Sequence, residues 1–528
     1  MIQDIYAYGA QNVVLLITDT CPTMAKAWAI VEDEFPWISI LCCQPHVVSL
    51  LMKDIAKEKQ VLTPPPLSCN PPLPLLGVTL PFTTTPTSTS TLPPSPHHCV
   101  QVLDTINEEG TMVAWFANHQ FPLAKLREIT LAKFGKTKEL VKAAATRFGT
   151  HTLVGERLLE LKPALQATVV DASYVAKKYK DAASTEEATG TGKTVRTNKG
   201  ATTKKLALDD EGYWKRVETH VMTTKPLLKM LRRFDSSAPA VGKVYSSWYE
   251  AGEHLKAMDS PYKAKCVEAH EERWAYGHSD FAACAYMLDP EFHEHDASSN
   301  EEVTSGFMNV VEKIAILKAV RDNLPEYVWK WKARLAALGD DPNKLATYEA
   351  FPKYPTVKDT EVTTFCQAVN SQLTLYRAKK GVFSRDWVMA SARTMPAYLW
   401  WDANGASCLE LQYVARLVES QPASASIIER INSEFAFVKD RRRNRLDHGR
   451  ADKLVALFHN LRLMARMKQP VYTEPAVGWN NEDNHAGVTK FGVANYEGTA
   501  KQTVKAPLER PSVISPCFTD LEDGDLFM

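Results

Sequence analysis

Residues 13–28 read VVLLITDTCPTMAKAW: five apolar side chains in a row, Val13–Ile17, then Thr18-Asp19-Thr20, then Pro22 at a position a first helical turn tolerates. Met24, Trp28 and Val31 recur at helical spacing behind the proline. Trp37–Cys43, WISILCC, has the composition of a second strand, and His46–Lys57 is predicted as the next helix. Uninterrupted apolar runs of this kind belong to strands buried on both faces, so residues 12 to about 58 predict strand, helix, strand, helix in a parallel or mixed sheet covered by helices.

The strand in this stretch delivers a carboxylate at its end. In open α/β sheets sites form beyond the carboxyl ends of strands, and a carboxylate there can hold a hard divalent cation. Two-metal phosphoryl transfer needs several such groups converging on ions about 4 Å apart, so Asp19 alone is not sufficient. The simpler reading is that Asp19 N-caps the following helix, and on the residues alone that reading is the commoner one.

Outward from this segment the chain changes character. Val61–Cys99 holds eleven of the 31 prolines and no Asp, Glu, Lys or Arg, a composition that forms neither helix nor sheet interior. It resembles non-coding sequence read through, and is expected to be a disordered insert from a retained intron or gene-model error. From 100 to 385 the periodicity is mostly helical, as in Leu153–Leu161 and Tyr213–Leu231, with a polar gap at Lys177–Lys205. Residues 386–468 hold further helices, and 469–528 form an aperiodic tail rich in Gly, Asn and Pro, expected to be disordered.

The 528 residues carry 62 basic and 62 acidic side chains, so bulk attraction to nucleic acid is excluded while a local basic patch is not. Ten cysteines without a Cys-x-x-Cys give neither a disulfide framework nor a zinc finger. The start lacks a secretory pattern, and no apolar window is long enough to span a membrane.

Other candidate chemistry is modest on its own. Ser426-x-x-Glu429 reads as a capping box, which accounts for Glu429 as a helix-start residue, with Ile428, Ile431, Phe435 and Val438 as the helix's apolar stripe. Cys43-x-x-His46 supplies two ligands where a structural zinc needs four. His293 and His295 are expected in a solvated acidic loop, and GTGKT at 190–194 fails the phosphate-loop pattern because Glu187 stands where glycine is required. The cluster Lys439, Arg441, Arg442, Arg443 and Arg445, followed by Arg450, Arg462 and Arg466, is the best local candidate for phosphate contacts, against the alternative of a solvated helix face.

In their order these segments resemble the central and C-terminal parts of a hAT-superfamily DNA transposase of the plant-type branch. The resemblance rests on VVLLITDT, CCQPHVVSLLMKDI, Thr146-Arg147-Phe148, KPLLKMLRRFDSSAPAVGKVY at 225–245 and FAACAYMLDP at 281–290. It is completed by WWDANGASCLELQYVARLV, IERINS and RNRLDHGRADKLVALFHNLRL, which are similar to the family's dimerisation region nearly block for block. It covers residues 8–60 and 100–468, with the proline-rich insert and the tail outside it.

What the resemblance implies is a fold of α/β plus all-α type. A partial RNase H-like unit (1–60) is separated by the insert (61–99) and a helical insertion domain (100–385) from C-terminal dimerisation helices (386–468). It implies that Asp19 and Glu429 are two members of an acidic triad binding Mg2+ or Mn2+, that Cys43 and His46 are the family's pair near the active site, and that Arg147 and Phe148 handle a flipped base. It further implies a nuclear protein whose partners are a second copy of itself and DNA. The family's first aspartate and its zinc finger would lie ahead of Met1, so the expectation is a truncated protein that dimerises without cleaving DNA. The competing expectations are a fragment of an active transposase with an incomplete gene model, and a domesticated DNA- or protein-binding module.

Overall fold

The computed structural model describes residues 1–57, 59–60, 100–143, 149–176, 199–235, 238–295, 297–337, 357–439 and 446–467. The insert at 61–99, Arg147 and Phe148, the GTGKT run, Arg441, Arg442, Arg443 and Arg445, and the tail at 469–528 lie outside them. Met1–Arg466 cluster as one unit; the second, Met467–Met528, is described only at its first residue.

Helix α1 (Ile2–Tyr8) leads into strand β1 (Leu15–Thr18), helix α2 (Pro22–Glu34), strand β2 (Ser39–Cys42) and helix α3 (Gln44–Lys57). This is the predicted alternation, with Pro22 at the start of α2. β1 and β2 pair in parallel, Leu15 opposite Ser39 and Thr18 opposite Cys42. β2 is mostly buried, whereas all four residues of β1 are half-buried, and among the described residues β1 pairs with β2 alone. Lys59–Gln60 (β3) and Val100–Gln101 (β4) close the base of the insert as a two-residue antiparallel ladder.

The rest of the described chain is helical. Helices α4 (Val102–Asn118), α5 (Gln120–Phe134), α6 (Thr150–Val170), α7 (Ala172–Ala176), α8 (Lys199–Leu208) and α9 (Lys215–Phe234) enclose one core. Met112, Phe116, Leu158, Leu165, Tyr213 and Trp214 lie within it. The two buried indoles satisfy their N–H groups there: Trp115 Nε1 donates to Tyr174 Oη at 2.9 Å and Trp214 Nε1 to the Ala207 carbonyl at 2.9 Å. The polar gap expected at 177–205 is shorter than its composition suggests, because Lys199–Leu208 is helix. Leu206 and Ala207 are buried in that core, and tertiary packing overrides the local preference of a Thr- and Lys-rich segment.

Helices α10 (Val244–Ala257), α11 (Lys263–Gly277) and α12 (Asp280–Leu288) follow, with α3 packed on α9 and α11. Then come α13 (Glu301–Asp322), which packs along α12, and α14 (Leu324–Ala337), α15 (Asp359–Arg377) and α16 (Asp386–Ala390). Last are α17 (Ala397–Asn404), α18 (Leu409–Glu419), α19 (Ser426–Val438) and α20 (His448–Met467). Tyr376, Phe383, Trp400 and Trp401 form an aromatic cluster with neighbouring ring centroids 4.8–6.2 Å apart. His293 corrects the expected solvated loop: it is buried, its Nε2 lies 3.0 Å from the Tyr376 carbonyl, and its ring stands edge-on to Tyr376. His295 Nδ1 is held at 2.8 Å by the Tyr286 hydroxyl.

A buried ionic knot joins the turn before α10 to the ends of α12 and α18. Lys243 Nζ lies 2.7 Å from Asp289 Oδ2 and also bonds Glu291. Burial pulls the ammonium down, but these carboxylates hold it above its ordinary value. Glu419 faces the same knot with one carboxylate oxygen unpartnered, and burial, then the Asp289 charge, push its carboxyl well above the usual range. A raised folded-state value means stability that is complete below the unfolded value of about 4.3 and is lost as pH rises above it. Glu419→Gln, which has no such proton to lose, is expected to match the parent below about pH 4 and to melt higher at pH 8. Parallel melting curves across that range would contradict this assignment.

Candidate functional site

Because β1 and β2 are parallel and in register, their carboxyl ends emerge side by side. The Cys43 amide donates to the Thr18 carbonyl at 2.8 Å, which fixes the two exits together. Asp19 follows β1 and is half-exposed; His46, in the first turn of α3, brings its Nδ1 to 3.9 Å from Asp19 Oδ1. The Asp19 capping alternative is not what forms: α2 is preceded by Cys21, and no side chain caps it. The loop ahead is fixed instead by Trp28 Nε1 donating to Thr18 Oγ1 at 2.8 Å and by the Tyr276 hydroxyl donating to the Thr20 carbonyl at 2.8 Å.

A segment from nearly 400 residues downstream closes on the same point. Cys43 Sγ accepts the Ala425 amide at 3.4 Å and lies 3.9 Å from Ser424 Oγ, while the Gln44 amide donates to the Ala423 carbonyl at 3.0 Å. Ser424 and Ala425 lead directly into α19, the helix on which Glu429 lies. Thus the strand end bearing Asp19 and the helix start bearing Glu429 converge on Cys43, although the Glu429 side chain is outside the described residues. The expected capping box is absent. Ala425 precedes the helix without a side-chain cap, and Ser426 sits inside the first turn with its hydroxyl buried and unpartnered. Its amide is taken by Ser424 Oγ at 2.9 Å, which satisfies a helix-start donor in the box's place. Within α19 Val438 is buried, but Ile428 is exposed and outside the packed stripe.

The electrostatics at this point favour structure over nucleophilic chemistry. Burial pushes the Cys43 thiol up, and burial together with Cys43 pushes Cys42 up to about 11, so both remain protonated thiols at neutral pH. Among the described residues no group of three His, Cys, Asp or Glu side chains is placed to hold a metal. Of the two carboxylates that the resemblance assigns to a metal, Asp19 is described, with the His46 imidazole 3.9 Å from it, and the Glu429 side chain lies outside the described residues.

Sequence reading passed over Gln44, the residue that follows Cys43, and it is the clamp of the whole junction. Its side chain is fully buried and spans three parts of the chain. Nε2 donates to the Gly277 carbonyl at 2.9 Å and the Cys42 carbonyl at 3.2 Å, and Oε1 accepts from Trp248 Nε1 at 2.9 Å. Gln44→Leu removes that carboxamide and leaves a buried indole N–H and a carbonyl unpaired. We expect a loss of about 3 kcal/mol in denaturant unfolding; a loss below about 1 kcal/mol would mean water replaces the clamp.

Of the basic cluster only Lys439 is described; it ends α19 and lies 2.6 Å from His448 Nδ1. Arg450 is engaged by Asp447 at 3.3 Å and Arg462 by Glu434 at 3.2 Å, so both carry internal ion pairs.

Comparison with curated proteins finds no match to this chain. Residues 372–461, from the second half of α15 through most of α20, match the family model described as the hAT family C-terminal dimerisation region. The match falls on the blocks that carried the resemblance, and it gives residues 372–461 as similar to a hAT family C-terminal dimerisation region.

Proposed function

We propose that this protein is transposon-derived and self-associates through residues 386–468, and that its residues 1–60 belong to an RNase H-like unit interrupted by the helical insertion. The observation that carries the reading is the match to a dimerisation region over 372–461. The parallel β1–β2 pair and the convergence of the Asp19 and Glu429 segments on Cys43 support the second half of it. Self-association is tested with two differently tagged full-length copies expressed together. Each tag is expected to recover the other, and recovery of one copy alone after mixing would contradict the reading.

Asp19 and Glu429 are, in this reading, members of a metal-binding acidic set that the described residues do not complete. Strand cleavage is accordingly not an activity we assign. With Mg2+ or Mn2+ supplied, nicking of duplex DNA by the purified chain is expected to stay at the level of an Asp19→Ala variant. A rate that falls at least tenfold on that substitution would instead establish a working site. Among the described residues no helix is long and apolar enough to cross a membrane. Nuclear residence and DNA contact through Lys439–Arg445 stay part of the proposal by family resemblance.

A further inference from the structure

Helix α20, the last among the described residues, carries a second apolar face that its packing on α19 does not use. Its inner face packs on α19: Ala451 and Val455 are buried, Phe458 stacks on Phe437 at 5.4 Å, and His459 and Arg462 reach Glu434 at 2.9 and 3.2 Å. Its outer face presents Leu454, Leu457, Leu461 and Met464, of which the last three are each 56% exposed. Their spacing of three, four and three residues is that of a coiled-coil seam, a pattern that keeps one apolar line facing a partner helix. Four large apolar side chains in one line differ from the isolated surface leucines any protein carries, and mark an interaction surface.

We propose that this seam is the contact through which the protein pairs with a second copy of itself, seam against seam about a two-fold axis. The proposal rests on the self-association reading and adds the surface to it. The occupant is argued from position: Leu454, Leu457 and Leu461 lie within the stretch matching a dimerisation region. A two-fold contact is self-complementary by construction, so a single apolar line supplies both sides of the interface. The Glu434 carboxylate, buried and shared by His459 and Arg462, ties α19 to α20 and holds the seam outward.

The test is sedimentation of the full-length protein beside its Leu457→Glu/Leu461→Glu variant, with Tyr249→Glu as a control at an exposed apolar residue on α10. The double variant sets four carboxylates into the paired seam, and we expect dimer dissociation to rise on the order of 100-fold or more. The control should stay at the parent's value. Leu454→Gln/Met464→Lys, at the seam's ends, is expected to act in the same direction, so misfolding of one variant does not decide the matter. A parent that dimerises with both seam variants unchanged would overturn the seam while leaving self-association intact. A parent that is monomeric throughout would overturn the underlying reading.

Discussion

Trp401→Ala is expected to cost about 3–5 kcal/mol, enough to leave little of the native state of an ordinary domain. The side chain is fully buried, its Nε1 donates to the Leu288 carbonyl at 2.8 Å, and its ring lies against Tyr376 at 4.8 Å and Trp400 at 5.4 Å. Truncation therefore opens a cavity and strands a buried carbonyl at one time. The location matters more than the size, since Leu288 ends α12 and Trp401 belongs to the stretch matching the dimerisation region. Loss of this contact should uncouple the two, giving a biphasic urea transition where the parent gives one. A substitution costing under 1 kcal/mol, with a single transition, would show that the C-terminal helices do not depend on α12 for their fold.

A side chain at position 242 should be nearly as damaging. A Cβ built there would lie 2.7 Å from both Asp289 Oδ2 and Glu419 Oε2, closer than such contacts allow, and both carboxylates are buried around Lys243. Gly242→Ala is thus expected to destabilise by about 3 kcal/mol, at the upper end for overpacking because charged neighbours cannot retreat without losing their partners. Shortening one neighbour should relieve the clash. Gly242→Ala combined with Glu419→Ala is expected to be less destabilised than the two single losses added together, a coupling readable in a double-mutant cycle. Strict additivity would mean the knot is not what excludes a side chain there.

The α/β segment was legible because its signals are local. An apolar run followed by a proline-started helix fixes strand and helix within a few residues, and β1 and β2 fall inside the predicted stretches Val13–Ile17 and Trp37–Cys43 to within a residue. Most of the helical remainder was legible from periodicity for the same reason. What local signals could not convey was partnership across long separations. Ser426-x-x-Glu429 has the spacing of a capping box, yet Ser424 takes the role because Cys43, far upstream, pulls the preceding loop into place. His293 reads as solvated within Phe-His-Glu-His-Asp, and is buried because Tyr376 arrives from α15 to cover it. Gln44 carries no sequence signal at all, since its three partners come from β2, α10 and α11. Of the candidate site, the nearness of Cys43 and His46 to Asp19 was, like the approach of the Glu429 helix, implied only by resemblance to a family, because neither partner is local in sequence.

The measurement that bears most directly on the central claim is the molar mass of the unmodified full-length protein by light scattering across a hundredfold range of concentration. A mass rising to twice that of the chain, and falling back on dilution, is the expected result for a protein that pairs through its C-terminal helices. A mass that stays at one chain at every concentration would contradict the account.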